Sequence, residues 1–525
     1  MNSLRTTPTI IRRQRGAAFM VMLVIMIIGV TGMFVASLSS SALQVARSQN
    51  TADALAKAKD ALIAYAVSDS NRPGELPCPD FNNDGVSDIN DYSGSNCRSL
   101  TGWLPWRTLG LPELRDANGD HLWYAVADPF HANGSVALNS DTLINNSTSM
   151  LTVIDGATGT TLETNVIAIV FSPGAVVSAE TRSATDSYAS TLALNYLEGK
   201  NANTNTSTNP NTIFQTANDK SIPLPTPIVN DRLLTINYAS LFPAVEMRIG
   251  REVKGCLDNY ALLSGGKYPW ATPVNNTAFQ GIVGTYFGRI PSAPVPTSDP
   301  NVIGFILALT NFQSALTNYI ASNNSTTRTA LYNAGSILEN IADTVANNQP
   351  TAPSISGNTA SYANNTGDKA KDLAQNPPQT TLQNVQNLFT QTLTYFQADN
   401  GAMYPLWPPS CMFNSNYWPA WQSDVFYQVT QGFNPGSSGT NCGSNCISIN
   451  GSNPATYHAA VAVARQAIPS INGARVFNTD STYLEGINPH QTNPSTNFVT
   501  NSPASTNYST NNDLVLCLDG NFYCK

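Results

Sequence analysis

The stretch DFNNDGVSDIND, Asp80 to Asp91, carries the most concentrated coordination chemistry in the chain. Oxygen-bearing side chains fall at places one, three, five, nine and twelve (Asp80, Asn82, Asp84, Asp88 and Asp91). Gly85 stands sixth, where a calcium-binding loop turns sharply. Alternating hard oxygen donors around a tight turn suit Ca2+, and the spacing predicts a calcium loop. The twelfth residue is Asp in place of the bidentate Glu of an EF-hand. The flanks are a proline-rich loop and Cys97, where an EF-hand has two helices. Dense Asn, Asp and Gly also build ordinary turns, which is the alternative.

Eight cysteines form the second group: Cys78, Cys97, Cys256, Cys411, Cys442, Cys446, Cys517 and Cys524. An even number predicts disulfides. Cys78 with Cys97 and Cys517 with Cys524 would close short loops, Cys442 with Cys446 is feasible, and Cys256 with Cys411 would remain; sequence does not decide the connectivity. CGSNC lacks a second ligand pair at zinc spacing, and His458 stands alone. No HExxH, GxSxG or phosphate-binding glycine loop occurs, and the histidines, His121, His131, His458 and His490, are scattered. Glu198 and Glu485 occupy matching places in two YLEG segments; as repeated residues they are expected to hydrogen-bond a loop backbone. Trp103, Trp106, Trp270, Trp407, Trp418 and Trp421 are either a sugar-stacking platform or packing residues among prolines. The expectation is that the chain is not an enzyme.

The elements that carry these residues begin with RRQRGAAFMVMLVIMIIGVTGMFVASL. The uncharged block from Ala17 to Leu38 would make a helix of about 33 Å, enough to cross a bilayer. Arg5, Arg12, Arg13 and Arg15 precede it without any acid, which predicts a cytoplasmic N-terminus and the remainder outside. No cleavage site of the secretory type follows. Beyond it Leu43, Ala46, Ala52, Leu55, Ala56, Leu62, Ile63 and Ala66 keep near-helical spacing, with no Gly or Pro before Pro73. One helix of about 50 residues is expected, apolar and then amphipathic.

In the basic leader ending at Gly16, the Ala17, Ala18, Phe19 start and the uninterrupted extension, the chain resembles the type IV pilin and type II secretion pseudopilin superfamily. The resemblance implies that a prepilin peptidase cuts after Gly16 and methylates Ala17, and that Phe19 and Val21 lie in the assembling helix. Most pilins carry a glutamate as fifth mature residue, thought to pair with a neighbour's N-terminus. Here that residue is Val21, and a missing glutamate is typical of the large minor pseudopilin that caps a fibre tip and of some other minor pilins. The implied partners are other pilins or pseudopilins, the peptidase and the bacterial inner membrane. The implied place is that membrane before assembly and a periplasmic or surface fibre afterwards.

The chain also repeats itself. YLEGKN (196–201) returns as YLEGIN (483–488), and TNPNTIF (208–214) as TNPSTNF (492–498), in the same order. VIAIVFSPGAVV answers to AAVAVARQAIP, NDRLLTI to NDLVLCL, and AKDALIAYAVSDSNRPGELPCPD to VKGCLDNYALLSGGKYPWATP. Each copy reads as a helix followed by strands, the order of a pilin head. The second helix, Ala244 to Tyr260, has no apolar membrane part. Between about 300 and 400 the period becomes helical, with three amphipathic helices on Phe305–Ile320, Leu331–Val345 and Leu382–Phe396. NNQPTAPSISGNTASYANNTGD reads as an exposed low-complexity linker between the second and third.

The expected fold is therefore α+β: a long transmembrane and amphipathic helix, then a duplicated antiparallel-sheet head with a helical insertion. The boundaries are a leader at 1–16, the helix at 17–68 (transmembrane over 17–38), a first head at 69–237, a second at 238–299 with 401–525, and the insertion at 300–400. Only 11% of residues are charged and the formal charge is −8, which disfavours nucleic acid as a partner. The function expected is a minor pilin or tip pseudopilin of a pilus or type II secretion apparatus, in assembly initiation or surface recognition. The alternatives are a membrane-anchored adhesin for a surface or polysaccharide ligand and, behind it, an anchored hydrolase.

Overall fold

The computed structural model describes residues 15–89, 96–132, 136–177, 180–182, 193–203, 212–217, 229–294, 299–348, 355–375, 379–399, 405–437, 441–442, 446–452, 457–489, 497–500 and 509–519. Helix α1 (Arg15–Ser68) opens the chain. Its far half buries Ala54, Leu55, Ala58, Leu62 and Ala66, a stripe at helical spacing seated on a sheet. The helix stops where the Asp69 carboxylate accepts the amides of Asn71 and Arg72, just ahead of Pro73.

There follow β1 (Thr101–Trp103), β2 (Trp123–Val126), the single turn α2 (Thr142–Asn145), β3 (Leu151–Ile154), β4 (Thr161–Val166), β5 (Ala168–Ser172), β6 (Ile213–Gln215) and β7 (Arg232–Ile236). Strands β1, β2, β5 and β7 form an antiparallel sheet in that order, and α1 packs on β5 and β7. A side sheet sets β3 between β4 and β6.

Helix α3 (Tyr238–Leu263) starts the second half. Asn237 and Ser240 cap it reciprocally, side chain to backbone amide each way. The remaining elements are β8 (Phe287–Arg289), α4 (Pro300–Ala321), α5 (Ser325–Asn348), α6 (Gly357–Gln375), α7 (Gln379–Asp399), the turn α8 (Trp418–Trp421), β9 (Val425–Val429), β10 (Ser448–Ile449), β11 (Ala459–Val463), β12 (Asn497–Phe498) and β13 (Leu514–Leu518). Strands β8, β9, β11 and β13 form a second antiparallel sheet in that order, with α3 on β11 and β13.

The two sheets share local details as well as strand order. Asp80 bridges Trp103 beside β1, and Thr272 bridges Arg289 beside β8. A Cβ on Gly102 would meet the Asp80 carbonyl at 2.5 Å, and one on Gly288 the Thr272 carbonyl at 1.8 Å, so both crossings require glycine. The central strands AIVFS and AAVAV are buried along their whole length, so they read as apolar runs without alternation.

Helices α4 to α7 pack in sequence as a four-helix unit with its own core, in which Phe305 stacks on Phe396 and Phe312 meets Phe389. Here the structure corrects the sequence reading: α6 forms over most of the stretch read as a linker. Apart from Leu373 its buried residues are small, including Ala360, Ala363 and Ala370. Bulk is replaced by close approach: a Cβ on Gly367 would meet the Gly335 carbonyl of α5 at 2.5 Å. An apolar-periodicity search does not find a helix that packs through small residues.

The second correction concerns the anchor. The fold is α+β, with eight α-helices among the described residues. None of them is long and apolar enough to cross a membrane. A span needs about 20 consecutive apolar residues. In the block 17–38 the described side chains are only Met22, Leu23, Met26 and Ile27, all exposed, in a helix that continues into polar sequence. The transmembrane assignment, the fold class built on it and the single-pass inner-membrane placement with N-terminus inside are overturned by this finding.

Candidate functional site

The Asp80 loop is built from its own amides. Buried Asp80 accepts from the amides of Gly85 at 2.6 Å, Asn83 at 2.7 Å and Asn82 at 3.1 Å. Asp88 Oδ2 accepts from Phe81 and Asn82, Asn82 Oδ1 from Asp84, and Asp84 Oδ1 from Val86. Asn83 and Gly85 take positive φ (62° and 84°), and the Gly85 backbone lies under Trp106, 2.6 Å from where a Cβ would stand. Burial pushes the Asp80 carboxyl up to about 6; the Gly85 and Asn83 amides oppose this, and Asp84 and Asp88 add to it. The four described members of the predicted set thus share one loop, and Asp91 lies outside the described residues.

Beside this loop is a cavity of about 250 Å³ lined by Asn83, Trp103, Arg115, Asp120, His121 and Tyr196 among others. His121 Nδ1 lies 2.7 Å from Asn83 Oδ1, and burial, followed by the Arg115 charge, lowers its pKa. Arg182 crosses the cavity wall to pair with Asp120 and Glu180 and lies over the Tyr196 ring.

Tyr196 belongs to the first YLEG segment, and the two segments are fastened alike. Glu198 Oε2 accepts from the Asn230 amide and Glu485 Oε2 from the Asn512 amide. The Glu198 amide donates to Asp231 and the Glu485 amide to Asp513. Asn201 and Asn488 donate to the same aspartates and exchange bonds with the backbone of Gln215 and Val499. Burial drives all four carboxyl pKa values upward. Each glutamate hydrogen-bonds a loop backbone, as its repetition suggested. Asn201, Asn488, Asp231 and Asp513 were missed although they lie inside the quoted repeats. Arg182 and Arg475, which cover Tyr196 and Tyr483, stand at unequal spacings from them and left no signal.

The disulfides are Cys78–Cys97, Cys256–Cys411 and Cys442–Cys446. Cys517 is also disulfide-bonded, and Cys524 lies outside the described residues. Cys78, Cys97 and His131 are the one group of three metal-type ligands gathered within 4.8 Å among the described residues. Both sulfurs are spent in the disulfide, so the group is no metal centre. Gly16, Ala17, Phe19 and Val21 are in α1, and nothing is described of their side chains; leader residues 1–14 lie outside the described part. Trp103, Trp270, Trp407, Trp418 and Trp421 are buried and form no exposed platform. No protein-family model, curated protein or solved structure matches the chain.

Proposed function

We propose that the chain is a minor-pilin-like or tip-pseudopilin-like subunit, which joins other helices of its kind through the near part of α1 and presents its doubled body at a fibre end. The observation that carries this reading is the uneven seating of α1. Its far half is buried on β5 and β7, whereas Leu43 and Val45 are 63% and 69% exposed and Met22, Leu23, Met26 and Ile27 are exposed as well. Exposed apolar side chains along one projecting helix mark a surface for other chains. Val21 lacks the carboxylate that would meet a neighbour's N-terminus, and the large body would crowd interior fibre positions; both favour an end. Mass spectrometry of the protein from cells with active prepilin peptidase should find a methylated N-terminus at Ala17. An intact Met1 N-terminus there would refute the reading.

The Asp80 loop supports a second reading, that the body carries structural Ca2+. Positive φ at its fourth and sixth places and three mutually repelling aspartates around one turn favour it. Calcium should raise the melting temperature of the protein, and Asp80→Ala with Asp84→Ala should abolish the rise. No thermal shift in the unaltered protein would reject the site.

A further inference from the structure

The correspondence of the two halves extends to a place where they differ in charge. Asn230 Nδ2 donates to the Ala175 carbonyl at 2.5 Å and Asn512 Nδ2 to the Gln466 carbonyl at 2.9 Å, which sets Gly174 opposite Arg465. The matching helix segments AKDALIAY and VKGCLDNY set Thr51 of α1 opposite Glu246 of α3. In the second half this place is filled from within. The Glu246 carboxylate is fully buried, pairs with Arg465 Nε at 2.9 Å, and accepts from Ser140 Oγ at 2.9 Å and from the Tyr238 hydroxyl.

In the first half the same place is an open pocket of about 180 Å³. Its lining includes Arg47, Ser48, Thr51, Asn118, Gly174 and Arg232; the buried Asp116 carboxylate lies behind the wall, where it accepts from Ser172 Oγ at 2.9 Å and from the Gly174 amide at 3.0 Å. Arg47 comes from the helix and Arg232 from the sheet edge, and Arg232 is steadied by Ser48 Oγ at 3.1 Å. Two guanidiniums from different elements at one small concavity can donate to an oxyanion from two sides.

We propose that this pocket binds an oxyanion, a carboxylate or phosphate group held between Arg47 and Arg232 where the second half supplies Glu246. The anion arrives either as a free small ion or as an acidic side chain of a second copy, since the chain carries 34 acidic against 26 basic residues.

The probe is inorganic phosphate, titrated into the full chain against sodium chloride of equal ionic strength. A saturable rise in melting temperature beyond that in chloride is expected, absent in Arg232→Gln. Thr51→Glu would place a carboxylate in the pocket, at the position that corresponds to Glu246. It should melt higher than Thr51→Gln in phosphate-free buffer and lose the response to phosphate, a readout that survives if Arg232→Gln folds poorly. Sedimentation separates the sources: dissociation of an assembled species by phosphate identifies the side chain of a second copy, and an unchanged mass identifies a free ion. No saturable rise over chloride, or a rise that Thr51→Glu leaves intact, overturns the proposal.

Discussion

Removing the Asp141 carboxylate should loosen the joint between the two halves. Asp141 precedes α2 in the first half, and its partner Arg475 lies in the second. Arg475 Nε reaches Asp141 Oδ2 at 2.6 Å, Nη2 reaches Oδ1 at 3.2 Å, and the Ala467 amide donates to the same Oδ1 at 3.0 Å. The two side chains are only 7% and 14% exposed, so solvent screens them little. Deleting one partner of such a pair costs about 3–5 kcal/mol, because the other charge stays buried and uncompensated. Two features set Asp141→Ala at the low end. Arg475 keeps the carbonyls of Thr482 and Arg465. Asp424, pushed up to about 8 first by burial and next by Asp141, ionises more readily once Asp141 is gone and takes over part of its role. A loss of about 3 kcal/mol is therefore expected, roughly a hundredfold in the opening equilibrium. Hydrogen exchange of peptides spanning 464–483 should quicken accordingly, with a matching fall in the urea midpoint. Asp141→Asn, which keeps an acceptor for Ala467, should lose less. A change under about 1 kcal/mol in both measurements would refute the view that this pair holds the halves together.

The two clasps carry a pH signature. Their folded carboxyl pKa values lie above the ordinary range near 4, so both folded and unfolded chains are protonated below it. As pH rises the unfolded chain ionises first, and the stability fully present at low pH is lost on passing through the raised values. The melting temperature should fall from mildly acidic to alkaline pH, and Glu485→Gln with Glu198→Gln should flatten that slope; an unchanged slope counts against raised carboxyl pKa values in the clasps. In the helical unit, Gly367→Val should cost about 1–3 kcal/mol, since α5 and α6 must part to admit the side chain, and calorimetry that finds no loss would show that they can shift without penalty.

Local patterns were legible without coordinates. The long α1, the repeated YLEG segments and the short-loop disulfide Cys78–Cys97 depend on neighbours in sequence, on spacing or on outright repetition. The backbone hydrogen bonds of the repeated glutamates were legible because the same bond is present twice. Tertiary structure alone decided the rest. Helix α6 exists because Gly335 lets Gly367 approach, a fact held by two residues 32 positions apart. Asp141 and Arg475 meet across 334 positions, a separation at which charge pattern says nothing about proximity. The membrane span read from 17–38 was overturned at the level of the folded helix. Thr51 and Glu246 look unrelated in the sequence; only the packed molecule shows that Glu246 is enclosed against Arg465 while Thr51 lines an open pocket with Arg47 and Arg232, because burial and charge balance belong to the packed molecule.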